Sequence, residues 1–113
     1  GLNICEQRLT AIVEKYGRDV VLDCVDEMLD RTERVVREQI AALPDGTYYG
    51  ESATDDDGTV LDEQVWVRCE ATVSGDQLTL DFSRSDAQRK GFINCVYAST
   101  YSRAVAGSFL FFD

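Results

Sequence analysis

Three groups of residues in this chain could do chemistry. The first is the acidic run Asp55-Asp56-Asp57-Gly58, which invites a calcium test. An EF-hand loop needs acids at its positions 1, 3 and 5, Gly at 6 and a bidentate Glu at 12. With Gly58 at position 6, Ala53 takes the first place and Gln64 the twelfth. Two essential ligands are missing, so the run reads as a solvated turn. The second group is the carboxylates at large. A catalytic carboxylate needs burial or a like-charge neighbour to move its pKa. Asp81, inside an apolar strand pattern, is the best of them, but it reads first as an outward-facing strand residue. The third group is Gln88-Arg89-Lys90-Gly91-Phe92-Ile93-Asn94-Cys95, a basic loop running into a short apolar stretch. Arg89-Lys90 is the only basic pair and reads as loop solvation. Asn94 reads as a residue that bonds backbone and fixes a turn.

The inventory excludes more than it offers. The 113 residues hold 21 acids, 11 bases, four cysteines and no histidine. No Ser-His or Cys-His nucleophile pair and no histidine metal site can form. No side chain has an ordinary pKa between 5 and 8. The formal charge of −10 opposes non-specific nucleic-acid binding and a polybasic membrane contact. Most of that charge sits in residues 45–63, which hold seven acids and no base. The eight glycines are isolated and form no phosphate loop. Cys5, Cys24, Cys69 and Cys95 lack a C-x-x-C spacing and read as reduced packing thiols in a cytoplasmic chain. No signal peptide and no membrane-length apolar run is visible.

Positioning these residues falls to a small set of elements. Leu9, Ile12, Val13 and Tyr16 predict a short amphipathic helix closed by Gly17. A second helix runs from Arg18 or Asp19 to about Leu43, with Val21, Val25, Met28, Leu29, Val36 and Ile40 along its stripe. Glu27 with Arg31, Asp30 with Arg34 and Glu33 with Arg37 are i, i+4 pairs in the favourable order. Pro44 stops this helix. Beyond Asp45-Gly46 the period changes to two. Strands are expected over 47–53, 64–73 and 77–83, joined by turns at 54–58 and at Ser74-Gly75-Asp76. Residues 85–91 read as a loop and Ala98 to Phe112 as a helix. The expected fold is α+β: a long N-terminal helical segment (1–43), an antiparallel β-meander (47–83), then loop and helix (84–113), in a single domain.

The order of motifs resembles one family. Leu43-Pro44-Asp45-Gly46-Thr47-Tyr48, then Asp55-Asp56-Asp57-Gly58, then Thr79-Leu80-Asp81-Phe82-Ser83, then Gln88, Arg89, Gly91 and Ile93-Asn94-Cys95 is similar to the hydantoinase B/oxoprolinase family. That family includes the B-type subunits of ATP-dependent hydantoinases and 5-oxoprolinases, with relatives among acetone and acetophenone carboxylases. One departure stands out: Phe92 occupies the place where the family usually has Pro. Family members are several times longer, so the resemblance implies an internal fragment. It also implies a partner A-type subunit carrying the ATP site, and a divalent metal whose histidine ligands would lie outside these residues. Among the motif residues only Arg89, Gly91 and Asn94 are expected to line a substrate site; no catalytic residue and no metal ligand is assigned.

Two functions follow as expectations. In the first, the chain is a non-catalytic structural segment of a subunit whose parent enzyme opens cyclic amides, or carboxylates ketones, with ATP. Phe109 to Phe112 would then pack on the rest of the parent chain and, left bare, drive self-association. In the second, the chain is a free-standing acidic module that meets a basic partner or a divalent cation through residues 45–63.

Overall fold

The structure, a computed structural model, describes residues 1–111. It divides into two compact units, residues 1–36 and 37–113. The first unit is helical. Helix α1 spans Leu2–Tyr16, and helix α2, Arg18–Ala41, begins in this unit and ends in the next. Gly17 stands between them at φ 88°, and its N–H donates to the Val13 carbonyl at 2.8 Å. A left-handed residue there stops α1, and glycine takes that conformation without a steric penalty.

Helix α1 starts earlier than the stripe from Leu9 predicts. The Cys5 N–H donates to the Gly1 carbonyl at 3.2 Å, closing a first turn at the very start. Leu2 and Cys5 carry the apolar spacing back to that point, and no proline interrupts it. None of residues 1–36 is buried. Leu2, Ile4, Leu9, Val20, Met28 and Leu29 are all exposed. The ion pair of Arg34 reaches Glu27 at 3.8 Å, two turns back, instead of the expected Asp30.

The second unit opens with the end of α2. The helix stops at Ala41, two residues before the expected Leu43. The Ala42 and Leu43 N–H groups donate to Gln39 and Ile40 carbonyls at 3.3 and 3.0 Å, the tightening that precedes Pro44. Three antiparallel strands follow in the order β1-β2-β3: Gly46–Thr54, Val65–Ser74 and Gln77–Asp81. Their register pairs Tyr48 with Ala71, Gly50 with Cys69, and Leu80 with Ala71 from the other side. Tyr48, Cys69, Ala71, Leu78 and Leu80 therefore share one face. Thr47, Tyr49, Glu51, Arg68 and Glu70 share the other. On that polar face the Thr47 and Thr72 hydroxyls meet at 3.3 Å.

Local polar contacts fix the hairpins. Gly75 sits at φ 59° in the β2–β3 turn, and its N–H donates to Asp45 at 2.9 Å. The Tyr48 hydroxyl donates to the Pro44 carbonyl at 2.8 Å. Strand β3 ends at Asp81, where the carboxylate accepts the Ser83 N–H at 2.7 Å. That bond turns the chain two residues before the alternation runs out. Helix α3 spans Tyr97–Ser108 and continues into a short 3-10 turn, Phe109–Phe111. Phe109 is 49% and Leu110 86% exposed; Phe112 lies outside the described residues.

The architecture is α+β, with two N-terminal helices, a three-stranded meander and a C-terminal helix. Among the described residues the buried apolar ones are few: Ile40, Val65 and Val73. Each such side chain contributes about 1.5–3 kcal/mol when fully buried. The cysteines do not add to this core. Cys5, Cys24 and Cys95 are exposed and Cys69 is half-buried, which corrects the expectation of four packing thiols. All four are free. Among the described residues no helix is long and apolar enough to cross a membrane.

Candidate functional site

The densest set of polar contacts lies where the segment 84–94 meets β2 and the acidic loop. Strand β3 pairs with residues 70–74 of β2 only. The other half of that edge is taken by Ser85 and Asp86. The Asp86 N–H donates to the Trp66 carbonyl at 2.9 Å, and the Trp66 N–H donates back to the Asp86 carboxylate at 3.1 Å. The Ser85 hydroxyl accepts the Arg68 N–H at 2.9 Å and donates to the Arg68 carbonyl at 3.0 Å. Side chains thus satisfy backbone groups that a longer third strand would have paired.

Asp86 is also the centre of a charge network. Its carboxylate takes Arg68 at 3.0 Å and Arg89 at 3.3 Å. Arg89 continues to Glu63 at 2.6 Å, and Arg68 to Glu51 at 3.3 Å. The Arg68 guanidinium lies 5.2 Å from the Trp66 ring centre. The Trp66 N–H, followed by the two arginines, holds the Asp86 carboxyl below the usual carboxylate range. A carboxylate with this many donors stays ionised and is not a proton donor at neutral pH.

Beside this network the acidic loop and the 89–94 loop interlock. Asp57 is 5% exposed, the one buried charged residue among those described. Its carboxylate accepts the Thr59 and Val60 N–H groups at 2.7 and 2.8 Å. The Val60 and Thr59 amides lower its pKa, and the Gly91 N–H adds to the effect. Gly91 is pressed against this loop: a Cβ placed there would stand 1.8 Å from the Asp57 carbonyl oxygen. Gly58, at φ 78°, lies under Phe92, whose ring would meet a Cβ at 2.6 Å. The residue that departs from the family pattern therefore packs its ring on a glycine. Asn94 latches the loop from its other end. Its side-chain amide donates to the Arg89 and Gly91 carbonyls at 2.7 and 2.8 Å, and its oxygen accepts the Arg89 N–H at 2.9 Å.

The three residues expected to line a site are thus brought together, and each has an internal partner. Arg89 holds two carboxylates, Gly91 permits a close approach, and Asn94 fixes a turn. Arg89 and Asn94 also stand on the wall of a cavity of about 600 Å³ between the sheet and α3. Asp81, the best isolated carboxylate in the sequence, bonds its own turn; the Ser83 amide lowers its pKa. Most acids of residues 45–63 are engaged as well. Asp45 and Asp56 accept backbone amides, Glu51 and Glu63 hold arginines, and Asp57 is buried. Sequence reasoning missed Asp86 and the tie between Asp57 and Gly91.

Comparison with known proteins gives this segment its setting. A profile of the family described as Hydantoinase B/oxoprolinase matches residues 1–112. The chain belongs to the hydantoinase B/oxoprolinase family. It is 32% identical over 85 residues to the B-type subunit of a D-/L-hydantoinase from Pseudomonas sp. (strain NS671), covering 73% of this chain and 14% of that one. It is 28% identical over 109 residues to the beta chain of caprolactamase from Pseudomonas jessenii, covering 96% of this chain and 18% of the relative. The crystal structure of the ATP-dependent caprolactamase from Pseudomonas jessenii superposes with a TM-score of 0.83 at 27% identity, over 96% of this chain and 18% of that one. The chain therefore spans less than a fifth of the length of the relatives it matches. By name, each of the two relatives is one subunit of an enzyme.

Proposed function

We propose that the chain is a structural, non-catalytic segment of a B-type subunit. Its parent enzyme opens a cyclic amide, a hydantoin or a lactam, with ATP bound on an A-type partner and a divalent metal held by residues outside this segment. The observation that carries this reading is the likeness to the caprolactamase chain along 96% of this one. The use of the polar groups supports the non-catalytic part. Asp57, Asp86, Arg89 and Asn94 each spend their hydrogen bonds on holding two loops and a strand edge together. A reacting group would need a free lone pair or proton aimed at open space. The same use of the acids weighs against a free-standing acidic module, since most carboxylates of residues 45–63 already have donors.

The reading is tested by assaying the 113-residue chain with ATP and caprolactam, hydantoin or 5-oxoproline. No ring opening above background is expected. Turnover by the chain alone would overturn the non-catalytic assignment.

A further inference from the structure

Two cavities in the unit formed by residues 37–113 share Phe82, Arg103 and Ala104 as walls. They are adjoining stretches of one trough between the apolar sheet face and α3. The stretch of about 390 Å³ runs past Tyr48, Cys69 and Leu80. The stretch of about 600 Å³ runs past Val67, Ile93 and Cys95, with the already bonded Asp86, Arg89 and Asn94 along its polar side. Both stretches open to solvent, so their apolar walls stay in water unless another segment covers them. The sheet face beneath is correspondingly bare: Tyr48 is 47% and Val67 53% exposed. On the helix side Ala104 and Gly107 present almost no side chain, so a backbone can come close. Arg103 stands on the wall of both stretches. Among the described residues no carboxylate lies within ion-pair distance of it.

We propose that this trough is filled by another segment of the B-type subunit, mainly apolar and bearing a carboxylate that pairs with Arg103. The inference rests on the B-type reading above. Two observations select this occupant. Arg103 is exposed at the edge of this mainly apolar trough and has no carboxylate partner among the described residues, so an anion on a mainly apolar segment suits it. The fold of this chain recurs, with a TM-score of 0.83, inside a crystal structure of which it is 18%, so more than four-fifths of that relative's chain lies outside the matched part. A second copy of this chain fits less well, because each copy brings a formal charge of −10.

Cys69 and Cys95 stand on the walls of the two stretches and report on their filling. Cys95 is the sharper reporter, because burial and then the Asp81 charge already raise the Cys69 thiol pKa. The test is maleimide labelling of the full subunit that carries this segment, followed by peptide mass spectrometry. Labelling of the native subunit is compared with labelling in guanidinium. Cys95 should react at least about tenfold more slowly in the native subunit. Arg103→Gln should return much of its reactivity, whereas Arg103→Lys should keep it protected. Labelling of Cys95 at the unfolded rate in a subunit that still supports ATP-dependent ring opening would overturn the trough alone. Protection that appears only on adding ATP and lactam would overturn it too, marking a ligand site. A subunit with Cys95 protected and no ATP-dependent ring opening would leave the trough standing and sink the B-type reading.

Discussion

Gly91 shows how much one missing side chain can decide. Its Cα lies so close to the Asp57 carbonyl that any Cβ must displace one loop or the other. Overpacking of this kind costs about 1–3 kcal/mol, or more where backbone must move. Gly91→Ala should therefore lower the free energy of urea unfolding by a margin of that size; an unchanged free energy would contradict the close approach. The carboxylates make a second prediction. Asp57, Asp81 and Asp86 all have folded pKa values below the ordinary one. Groups lowered in this way contribute stability that is fully present above the unfolded carboxylate pKa of about 4, and lost as pH falls through the folded values. With no histidine, no side chain has an ordinary pKa between 5 and 8. Urea unfolding should give a flat stability from pH 8 to pH 5 and a fall below pH 4. Asp86→Asn should make that acid fall shallower, since the amide keeps an acceptor for the Trp66 N–H but no charge. A steep loss between pH 8 and 5 would contradict this.

At the scale of the elements, periodicity carried most of the fold. The stripes of α1 and α2, Pro44, Gly17 and the two-residue alternation of β1 to β3 are local signals, and they place the elements to within a few residues. Three things were not legible, each for its own physical reason. The early start of α1 is a backbone hydrogen bond at a helix end, where the apolar stripe was too thin to read. The strand-like pairing of Ser85 and Asp86 with β2 is made by side chains, so it leaves no alternation in 84–88. The Asp57–Gly91 and Glu63–Arg89 contacts join loops far apart in sequence, and no spacing rule links such residues. Asn94 is the counter-example. A polar residue in a short apolar run was read as a turn-fixing group, and its amide makes the three bonds that hold 89–91. Each net hydrogen bond contributes about 1 kcal/mol. Asn94→Ala should accordingly raise amide hydrogen exchange across 89–92 by tenfold or more, with β2 and β3 little changed. Equal exchange in both proteins would show that the loop is held by Gly91 packing alone.

At the scale of the whole molecule, the exposed apolar surface fits a chain that matches only part of its relatives. With Ile40, Val65 and Val73 as the buried apolar residues among those described, the chain exposes apolar helix faces, a half-covered sheet and a trough under α3. Those are the surfaces expected of a segment taken from the interior of a larger subunit, and the relatives it matches are more than five times its length. The lack of histidine rules out histidine chemistry within these 113 residues and does not limit the rest of a longer subunit. The central claim is tested most directly by ATP-dependent ring opening with the full B-type subunit carrying residues 1–113, co-purified with its A-type partner. Caprolactam, hydantoin and 5-oxoproline would be assayed side by side. The account predicts ADP release coupled to ring opening of at least one of them by the pair, and none by the 113-residue chain. Ring opening by the 113-residue chain alone, or a pair inert toward all three, would contradict it.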